Sequence, residues 1–237
     1  MLTTLLKLAQ RSPTDTFLLN SPALPSLHNK VTVLRHQKTR PEYILNSSRF
    51  VVFDTETTGF CYNKGDEIIS VGAVAIENGL VTNSCFSQFV NPNRLIPAIA
   101  TEITGITNEM VANCPDVLTV LDQFLEFKGL SPLIAHTASF DLNFVNIKLR
   151  KYCGHRLNTS IIDTFLLAQL LFPKEENLRS LDSLALHYDI EPIGRHTALG
   201  DALITAQIFT NMLDGLFDLG IKTTYQLANY LHFKRLI

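Results

Sequence analysis

The feature that most constrains the fold is the stretch 50–59, FVVFDTETTG, in which an apolar run leads directly into two acids. A short run of β-branched and aromatic residues predicts a buried strand. Because side chains alternate between faces along a strand, Asp54 and Glu56 point to one side and Thr55 to the other. Two carboxylates on one patch repel each other unless the strand end faces water or a cation lies between them.

The remainder of the chain predicts strands alternating with helices. The strand candidates are RFVVFDTE, EIISVGAVAIENG, LVTNSCFSQFV, SPLIAHTA and NTSIID, of which the first three follow one another and predict an antiparallel meander. The main helix candidates are PDVLTVLDQFLEF, SFDLNFVNIKLRKYCG, TFLLAQLLF, SLDSLALHY, TALGDALITAQIFTNML and TTYQLANYLHF. This order predicts an α/β fold with a mixed sheet flanked by helices.

Residues 1–48 differ from the rest in charge and in pattern. Residues 1–49, which include Arg49, hold seven Lys or Arg against two acids, a net charge of +5, whereas the whole chain carries −2. After a short helical candidate at residues 3–10 they show no sustained period, which predicts a basic N-terminal appendage over 1–48 and one domain over 49–237. The appendage could steer a polyanion toward the acids, or it could be a solvated, partly ordered leader.

The cysteines and the hydropathy indicate the compartment. Four cysteines are scattered without a CxxC pair or a metal-ligand rhythm, which argues against a zinc site and for a reduced, cytoplasmic location. The first residues do not read as a secretory signal, and no stretch is long and apolar enough to span a bilayer. We therefore expect a cytoplasmic protein with no membrane partner.

Two further acids and a histidine lie near predicted helix starts. Asp141 falls in the first turn of its helix, where the helix dipole favours a carboxylate whatever its function. Asp201 lies in the sequence GDA on an apolar helix, where a buried acid would need a cation, although an exposed stripe is the alternative. His196 precedes Asp201 by five residues, so it is expected in a loop, either leaning over a site or serving a structural role.

These acids could converge if the predicted strands are neighbours in one sheet. Four carboxylates without a Cys ligand favour Mg²⁺ or Mn²⁺, and two such ions balance four negative charges. Two ions about 4 Å apart could hold the attacking hydroxide and the leaving oxygen of a phosphoryl transfer. His196 could then take the proton from the attacking water.

The ordered motifs FDTETTG, HTASFD and RHTALGDA resemble those of the DEDD exonucleases, in their histidine-containing, DnaQ-like branch. The resemblance covers roughly residues 49–213 and includes the connecting pieces EITGIT, SIIDTFLLAQLLFP and SLDSLALHYDI. It implies an RNase H-like mixed five-stranded sheet and a metal-dependent 3′→5′ exonuclease that releases nucleoside 5′-monophosphates. Single-stranded DNA or a frayed 3′ end is the expected substrate, and a polymerase is a candidate partner.

The resemblance also assigns roles to individual residues. It implies that Asp54 bridges two divalent ions, that Glu56 and Asp201 complete the first metal site, that Asp141 holds the second, and that His196 is the general base. The expected contacts to the terminal nucleotide are Thr57, Thr58, Gly59, Phe60, His136 and Phe140, although the two phenylalanines could equally be core residues.

The sequence departs from the family at two places. The segment 102–107, EITGIT, stands where the family frequently has His-Gly, which puts nucleotide contacts from this loop in doubt, and Thr137 replaces a more usual Asn. Asp163 matches the family and is expected to cap the following helix. The QLLF sequence at 169–172 superficially suggests a sliding-clamp peptide, but leucines at helical spacing predict core packing instead.

Two alternative functions remain open from the sequence. One is an RNA-directed member of the same family, of the oligoribonuclease or tRNA-trimming type, because contacts to a 2′-hydroxyl depend on loop geometry. The other is a catalytically silent nucleic-acid-binding module, although a pure binder gains little from four carboxylates facing phosphate.

Overall fold

The computed structural model of the chain describes residues 13–36 and 42–234. Its strands are β1 Phe50–Thr57, β2 Ile68–Glu77, β3 Leu80–Phe89, β4 Leu133–Ala135 and β5 Ile161–Asp163. They form one sheet of order β3-β2-β1-β4-β5, in which β1, β2 and β3 pair antiparallel and β1, β4 and β5 pair parallel. The expected meander and the mixed five-stranded sheet are therefore confirmed.

Helices cover both faces of this sheet. Within the described residues they are α1 Pro13–Leu19, α2 Leu24–Arg35, α3 Ala98–Thr104, α4 Asn108–Val111, α5 Val117–Lys128, α6 Ser139–Cys153, α7 Thr164–Leu171, α8 Leu181–His187, α9 Ala198–Asp218 and α10 Thr224–Phe233. Six of them fall where the sequence predicts the main helices, and α3 and α4 occupy the short segment between β3 and α5.

Strand β1 separates two hydrophobic cores. Phe50 and Val52 pack into the core that includes α9, whereas Val51 and Phe53 pack into the core that includes α2, α5 and α6. This alternation continues into the acidic part of the strand. Asp54 and Glu56 therefore belong to the α9 face, and Thr55 belongs to the α6 face.

Residues 13–36 pack on this second core, whereas Leu45 is buried in the core that includes α9. Leu27, Val31 and Leu34, spaced three or four residues apart, are buried in the second core, and Leu18 joins them. Lys30 Nζ lies 3.0 Å from Asp122 and 2.8 Å from Glu126 of α5. The sequence does not predict α2, because Pro25 and polar residues obscure its period, and the candidate helix at residues 3–10 lies outside the described residues.

The leucines around QLLF are part of the fold. Leu167 and Leu170 are buried in the α9 core, and Leu166 and Leu171 pack against it from partly exposed positions. The prediction that this segment is a core helix and not a free peptide is confirmed.

Candidate metal centre

Asp54 and Glu56 lie in the second half of β1, on the face that α9 covers. Asp54 pairs across the sheet with Gly72 of β2, and Glu56 pairs with Ser70. Phe53 before them is buried, and both acids are partly exposed. The strand pattern alone therefore delivers two carboxylates to one edge of the α9 interface.

Gly72 determines how closely α9 can approach these acids. A β-carbon at this position would lie 2.2 Å from backbone atoms of both Ala198 and Leu199. Because backbone cannot yield as a flexible side chain can, only glycine lets the first turn of α9 rest on the strand. Asp201 is in that turn, so Gly72 brings it beside Asp54. Sequence reasoning missed this residue, and its only signal is a glycine inside a strand pattern.

Three carboxylates converge at this point. Asp54, Glu56 and Asp201 each offer one oxygen, and these atoms all lie within 4.8 Å of one another. Burial and the charges of the neighbouring acids raise the pKa of Asp54 well above its usual value and raise the pKa of Glu56 to about 7. An all-oxygen donor set with unfavourable mutual repulsion fits a hard divalent cation such as Mg²⁺ or Mn²⁺.

Asp141 approaches from the other face of β1. It is buried in the first turn of α6, and its Oδ1 accepts hydrogen bonds from the Thr55 backbone N–H (2.9 Å) and hydroxyl (2.7 Å). Burial raises the pKa of Asp141 to about 7, although both bonds from Thr55 oppose that shift. Its charge also raises the pKa of Asp54 and of Glu56, although Asp141 is not one of the three acids whose oxygens lie within 4.8 Å of one another.

His196 lies in the loop that leads into α9. Its backbone has a left-handed φ of 64°, and its N–H donates to Asp201 Oδ1 at 3.2 Å. The residue is exposed, so the imidazole is accessible beside the acids. The structure thus joins His196 to the metal centre through the carboxylate of Asp201.

Arg195 is the functional-site residue that sequence reasoning did not identify. Its Nη1 donates to Asp201 Oδ2 at 2.5 Å and lies 3.3 Å from His196 Nδ1. Its Nε and Nη2 donate to the two oxygens of Asp182 in α8, at 2.5 and 3.2 Å. The charge of Arg195 lowers the pKa of Asp54 and Asp201 against the larger, raising effect of burial. Its position directly before His196 is the one signal that could have drawn attention to it.

The residues after the acids divide between inward and outward positions. Phe60 is 79% exposed, and its ring centroid lies 6.0 Å from that of the partly buried Phe140. Thr57 is partly exposed and donates to the Gly59 carbonyl at 2.7 Å. Thr58 is buried, and its hydroxyl donates to Asp66 Oδ1 at 3.2 Å, so its side chain anchors the loop from inside.

Gly59 and His136 have structural contacts that the sequence does not reveal. A β-carbon on Gly59 would lie 2.5 Å from an Asp66 oxygen, so the glycine makes room for that carboxylate. The His136 ring hydrogen-bonds to Thr164 Oγ1 at 3.0 Å and to the backbone of Arg179, and burial lowers its pKa to about 4. His136 is therefore a neutral, inward-facing residue that ties β4 to α7.

Asp163 is confirmed as a helix cap and does more than expected. Its carboxylate accepts from the Phe165 N–H at the start of α7 and also from the N–H groups of Thr137 and Ala138 before α6. Ser139 is the first residue of α6, and the N-cap residue Ala138 makes no side-chain hydrogen bond. One carboxylate from β5 thus fixes the starts of two helices beside the site.

The sequence profile of the exonuclease family matches residues 51–209, which is more than half of the chain and includes all four acids and His196. The chain belongs to the exonuclease family. The predicted family and enzyme class are thereby confirmed, and the acidic cluster suits the divalent metal on which this family depends.

Curated relatives agree with this assignment. The chain is 36% identical to the DNA polymerase III subunit epsilon of Aquifex aeolicus over 187 residues, 79% of this chain and 89% of that protein. It is 40% identical to the PolC-type DNA polymerase III of Caldanaerobacter subterraneus over 77% of this chain and 13% of the relative. It is 42% identical to an epsilon-like protein of Rhodobacter capsulatus, over 76% of this chain and 26% of the relative. The chain thus spans between 13% and 26% of the length of several curated relatives.

Solved structures show the same fold. Exonuclease X in complex with 5′-overhanging duplex DNA superposes with a TM-score of 0.56 at 28% identity, covering 70% of this chain and 91% of that one. The nuclease domain of 3′hExo, a DEDDh family member bound to rAMP, gives a TM-score of 0.63 at 20% identity, covering 71% of this chain and 92% of that one. The helices of residues 13–36 and 42–234 were compared with what a membrane-spanning helix requires. None of them is both long enough and apolar enough to cross a membrane.

Proposed function

We propose that this chain is a metal-dependent 3′→5′ exonuclease that releases nucleoside 5′-monophosphates from single-stranded DNA or frayed 3′ ends. The observation that carries the proposal is the meeting of Asp54, Glu56 and Asp201 within 4.8 Å, beside a histidine bonded to one of them. A pure nucleic-acid binder would be repelled by this patch, because phosphate is itself an anion. The family match supports hydrolysis as the reaction.

The residues fit two divalent ions, Mg²⁺ or Mn²⁺. Asp54, Glu56 and Asp201 would hold one of them, and Asp54 with Asp141 would hold the other. When bound, such ions lower the pKa of the attacking water and stabilise the leaving oxygen. His196 would act as the general base and take a proton from the attacking water, which its exposed position in the loop before α9 permits.

The nucleotide contacts follow from exposure. Phe60 offers an exposed ring to the terminal base or sugar, and Phe140 supports it from behind. Thr57 and Gly59 present the backbone of the loop after β1. Thr58 and His136 hold this surface in place from inside, so their contribution to substrate binding is through positioning.

A DNA polymerase is the proposed partner, because the epsilon relative of similar length carries that subunit name. Its test is co-purification of the chain with a replicative polymerase of the same organism. A reduced, cytoplasmic location is proposed with it, since all four cysteines are free.

The deciding experiment measures degradation of matched 5′-labelled DNA and RNA oligomers with Mg²⁺, and then with EDTA. We expect stepwise shortening from the 3′ end of DNA, faster than of RNA, and no cleavage in EDTA. Asp54→Asn is expected to abolish activity, and His196→Ala to reduce turnover by roughly 10²- to 10⁴-fold. The matched control is Asp218→Asn, an exposed acid at the far end of α9, which should retain wild-type activity.

Each contrary result has a defined meaning. Faster degradation of RNA would replace the DNA assignment by the RNA-directed alternative. Binding of both oligomers without cleavage would favour the silent module. Near-normal turnover by Asp54→Asn would contradict the metal assignment itself.

A further inference from the structure

The contact between Arg195 and Asp201 places a cation where the proposed function needs a metal ion. Arg195 Nη1 lies 2.5 Å from Asp201 Oδ2, and the His196 N–H occupies Oδ1. Asp201 is buried, so both of its oxygens are already paired within the protein. A divalent ion that binds Oδ2 of Asp201 must share that oxygen with the guanidinium or displace the guanidinium.

The same guanidinium also faces the proposed general base. Arginine can only donate hydrogen bonds, so its contact with His196 Nδ1, at 3.3 Å, requires a lone pair on that nitrogen. A neutral imidazole then carries its proton on Nε2, and Nε2 cannot accept one. While Arg195 is bound to Asp201, its contact with Nδ1 therefore keeps that ring nitrogen of His196 from accepting a proton.

Asp182 gives Arg195 an alternative anchor outside the cluster. Its two oxygens accept from Nε and Nη2 at 2.5 and 3.2 Å, and its side chain is 63% exposed. Because Nη1 is the group that reaches Asp201, the guanidinium can release Asp201 and stay paired with Asp182. Asp182 lies in the first turn of α8, on a different element from the proposed metal ligands.

We infer that Arg195 is an internal competitor for the metal site: it occupies Asp201 in the free protein, and Asp182 retains it when a divalent cation binds. This inference rests on the proposed function, because it presupposes a cation at Asp54, Glu56 and Asp201. The guanidinium therefore sets the metal affinity of the site. A positive group touching a metal ligand repels a second cation at short range, where screening by solvent is weak.

The test measures the binding of Mn²⁺ alone to the full chain, by electron paramagnetic resonance and by calorimetry. We expect Arg195→Gln to bind Mn²⁺ about tenfold more tightly than wild type, because a competitor and a repelling charge are both removed. Asp182→Asn is expected to bind more weakly by a few-fold, because Arg195 then keeps Asp201 and a nearby negative charge is lost. These opposite signs distinguish competition from a general loosening of the site, which would weaken both variants.

Arg49→Gln is the matched control for the change of charge. Arg49 lies at the other end of β1, where it donates to Ser131 and to carbonyls of α5, and its replacement should leave Mn²⁺ affinity within twofold of wild type. Circular dichroism establishes that each variant is folded, and Arg195→Lys provides a second variant that keeps the charge and should not gain affinity. Equal or weaker Mn²⁺ binding by folded Arg195→Gln, with normal binding by wild type, overturns the inference alone. Absence of Mn²⁺ binding by wild type overturns the proposed function together with it.

Discussion

The two ends of strand β1 differ in charge: one carries two cations, with Glu77 paired to Arg49 at 3.2 Å, and the other carries three acids with one arginine. At the end that leads into β1, Arg49 donates to the carbonyls of Phe127 and Lys128, and the buried Lys128 donates to the carbonyl of Gly129. At the other end, three carboxylates converge with one arginine that is already paired with Asp182. Within the described residues the acidic end has one arginine for three carboxylates, whereas both cations at the other end donate to protein oxygens.

A cluster of like charges can bind a ligand when its charges are incompletely paired within the protein. The C-terminus of α5 carries partial negative charge on its unsatisfied carbonyls, and these satisfy the two cations without a ligand. Among residues 13–36 and 42–234, the donors to the acids at the other end are Thr55, Arg195 and the N–H of His196. The acidic end therefore keeps negative charge that a bound cation would neutralise. At the cationic end, each positive group already has a hydrogen-bond acceptor in the protein.

The two ends of β1 also differ in which residues adopt left-handed backbone conformations. The left-handed position beside Lys128 is Gly129, with φ of 55°, which costs a glycine little. Beside the acids the left-handed residues are Thr137 and His196, with φ of 58° and 64°. A β-branched residue in this region is an unfavourable conformation, and such residues concentrate at functional sites.

Among the variants that test this comparison through packing, charge and backbone, Gly72→Ala at the acidic end should have the largest effect. The added β-carbon meets the backbone of Ala198 and Leu199, so the start of α9 must shift and carry Asp201 away from Asp54. We expect turnover to fall by about 10²-fold and the free energy of unfolding to fall by roughly 1–3 kcal/mol. Oligomer degradation and urea unfolding measure the two quantities.

Gly215→Ala is the matched control in the same helix. Its added β-carbon would lie 3.1 Å from a Leu171 methyl group, a side-chain end that can move. Activity should stay within twofold of wild type. An equal loss of turnover in both variants would show that α9 responds to any added bulk and that Gly72 has no special place.

The next prediction uses pH to separate the acidic end from the rest of the fold. Because the pKa of Glu56 is raised from 4.5 to about 7, the folded protein binds more protons than the unfolded chain between these values. The contribution of Glu56 to the free energy of unfolding is therefore fully present at and below pH 4.5 and is lost as the pH rises through about 7. In EDTA, Glu56→Gln should match wild type near pH 4.5 and exceed it by about 1–2 kcal/mol at pH 8.

The measurement is urea unfolding of both proteins from pH 4.5 to 8. Excess Mn²⁺ at pH 8 should reverse the order, because a ligand that binds only the folded state stabilises it. A stability difference that is constant with pH would refute the raised pKa of Glu56.

The cationic end should show the opposite pH dependence. Burial lowers the pKa of Lys128 to about 8, so between pH 8 and 10.5 the unfolded chain binds more protons than the folded one. Wild-type stability from this group rises with pH across that range. Lys128→Met should be more stable than wild type by about 1 kcal/mol at pH 7, and this advantage should shrink by pH 10.

Activity gives the second half of this test. Lys128→Met is expected to keep oligomer turnover within twofold of wild type, because the cation is satisfied by helix carbonyls. Loss of turnover in this variant would show that the cationic end of β1 is also needed for activity.

The smallest effect concerns backbone strain. Thr137→Asn places a residue that tolerates the left-handed region where a β-branched one now stands, and its backbone N–H can still donate to Asp163. We expect the free energy of unfolding to rise by about 0.5–1 kcal/mol, measured by urea unfolding. Thr137→Ala removes the branched β-carbon without adding an asparagine, so it separates the effect of branching from the preference of Asn for the left-handed region. A lower free energy of unfolding for Thr137→Asn would contradict the proposal that Thr137 is strained.

Local sequence patterns were sufficient for much of the fold and for the identity of the acids. Alternation along FVVFDTE places Asp54 and Glu56 on one face and Thr55 on the other, and the structure retains that division. The strand and helix order predicts the mixed sheet, because each element has its own period. The cap role of Asp163 could also be predicted, since an acid before a helix bonds its first N–H groups.

The sequence determined which carboxylates this protein has and which face of β1 carries them, because strand parity is a local property. Tertiary structure decided how close they come and what accompanies them. Gly72 matters through α9, Arg195 through Asp182 of α8, and His136 through Thr164, and each pair is brought together only by packing of elements distant in the chain. Such contacts depend on three-dimensional distances, which no local period encodes.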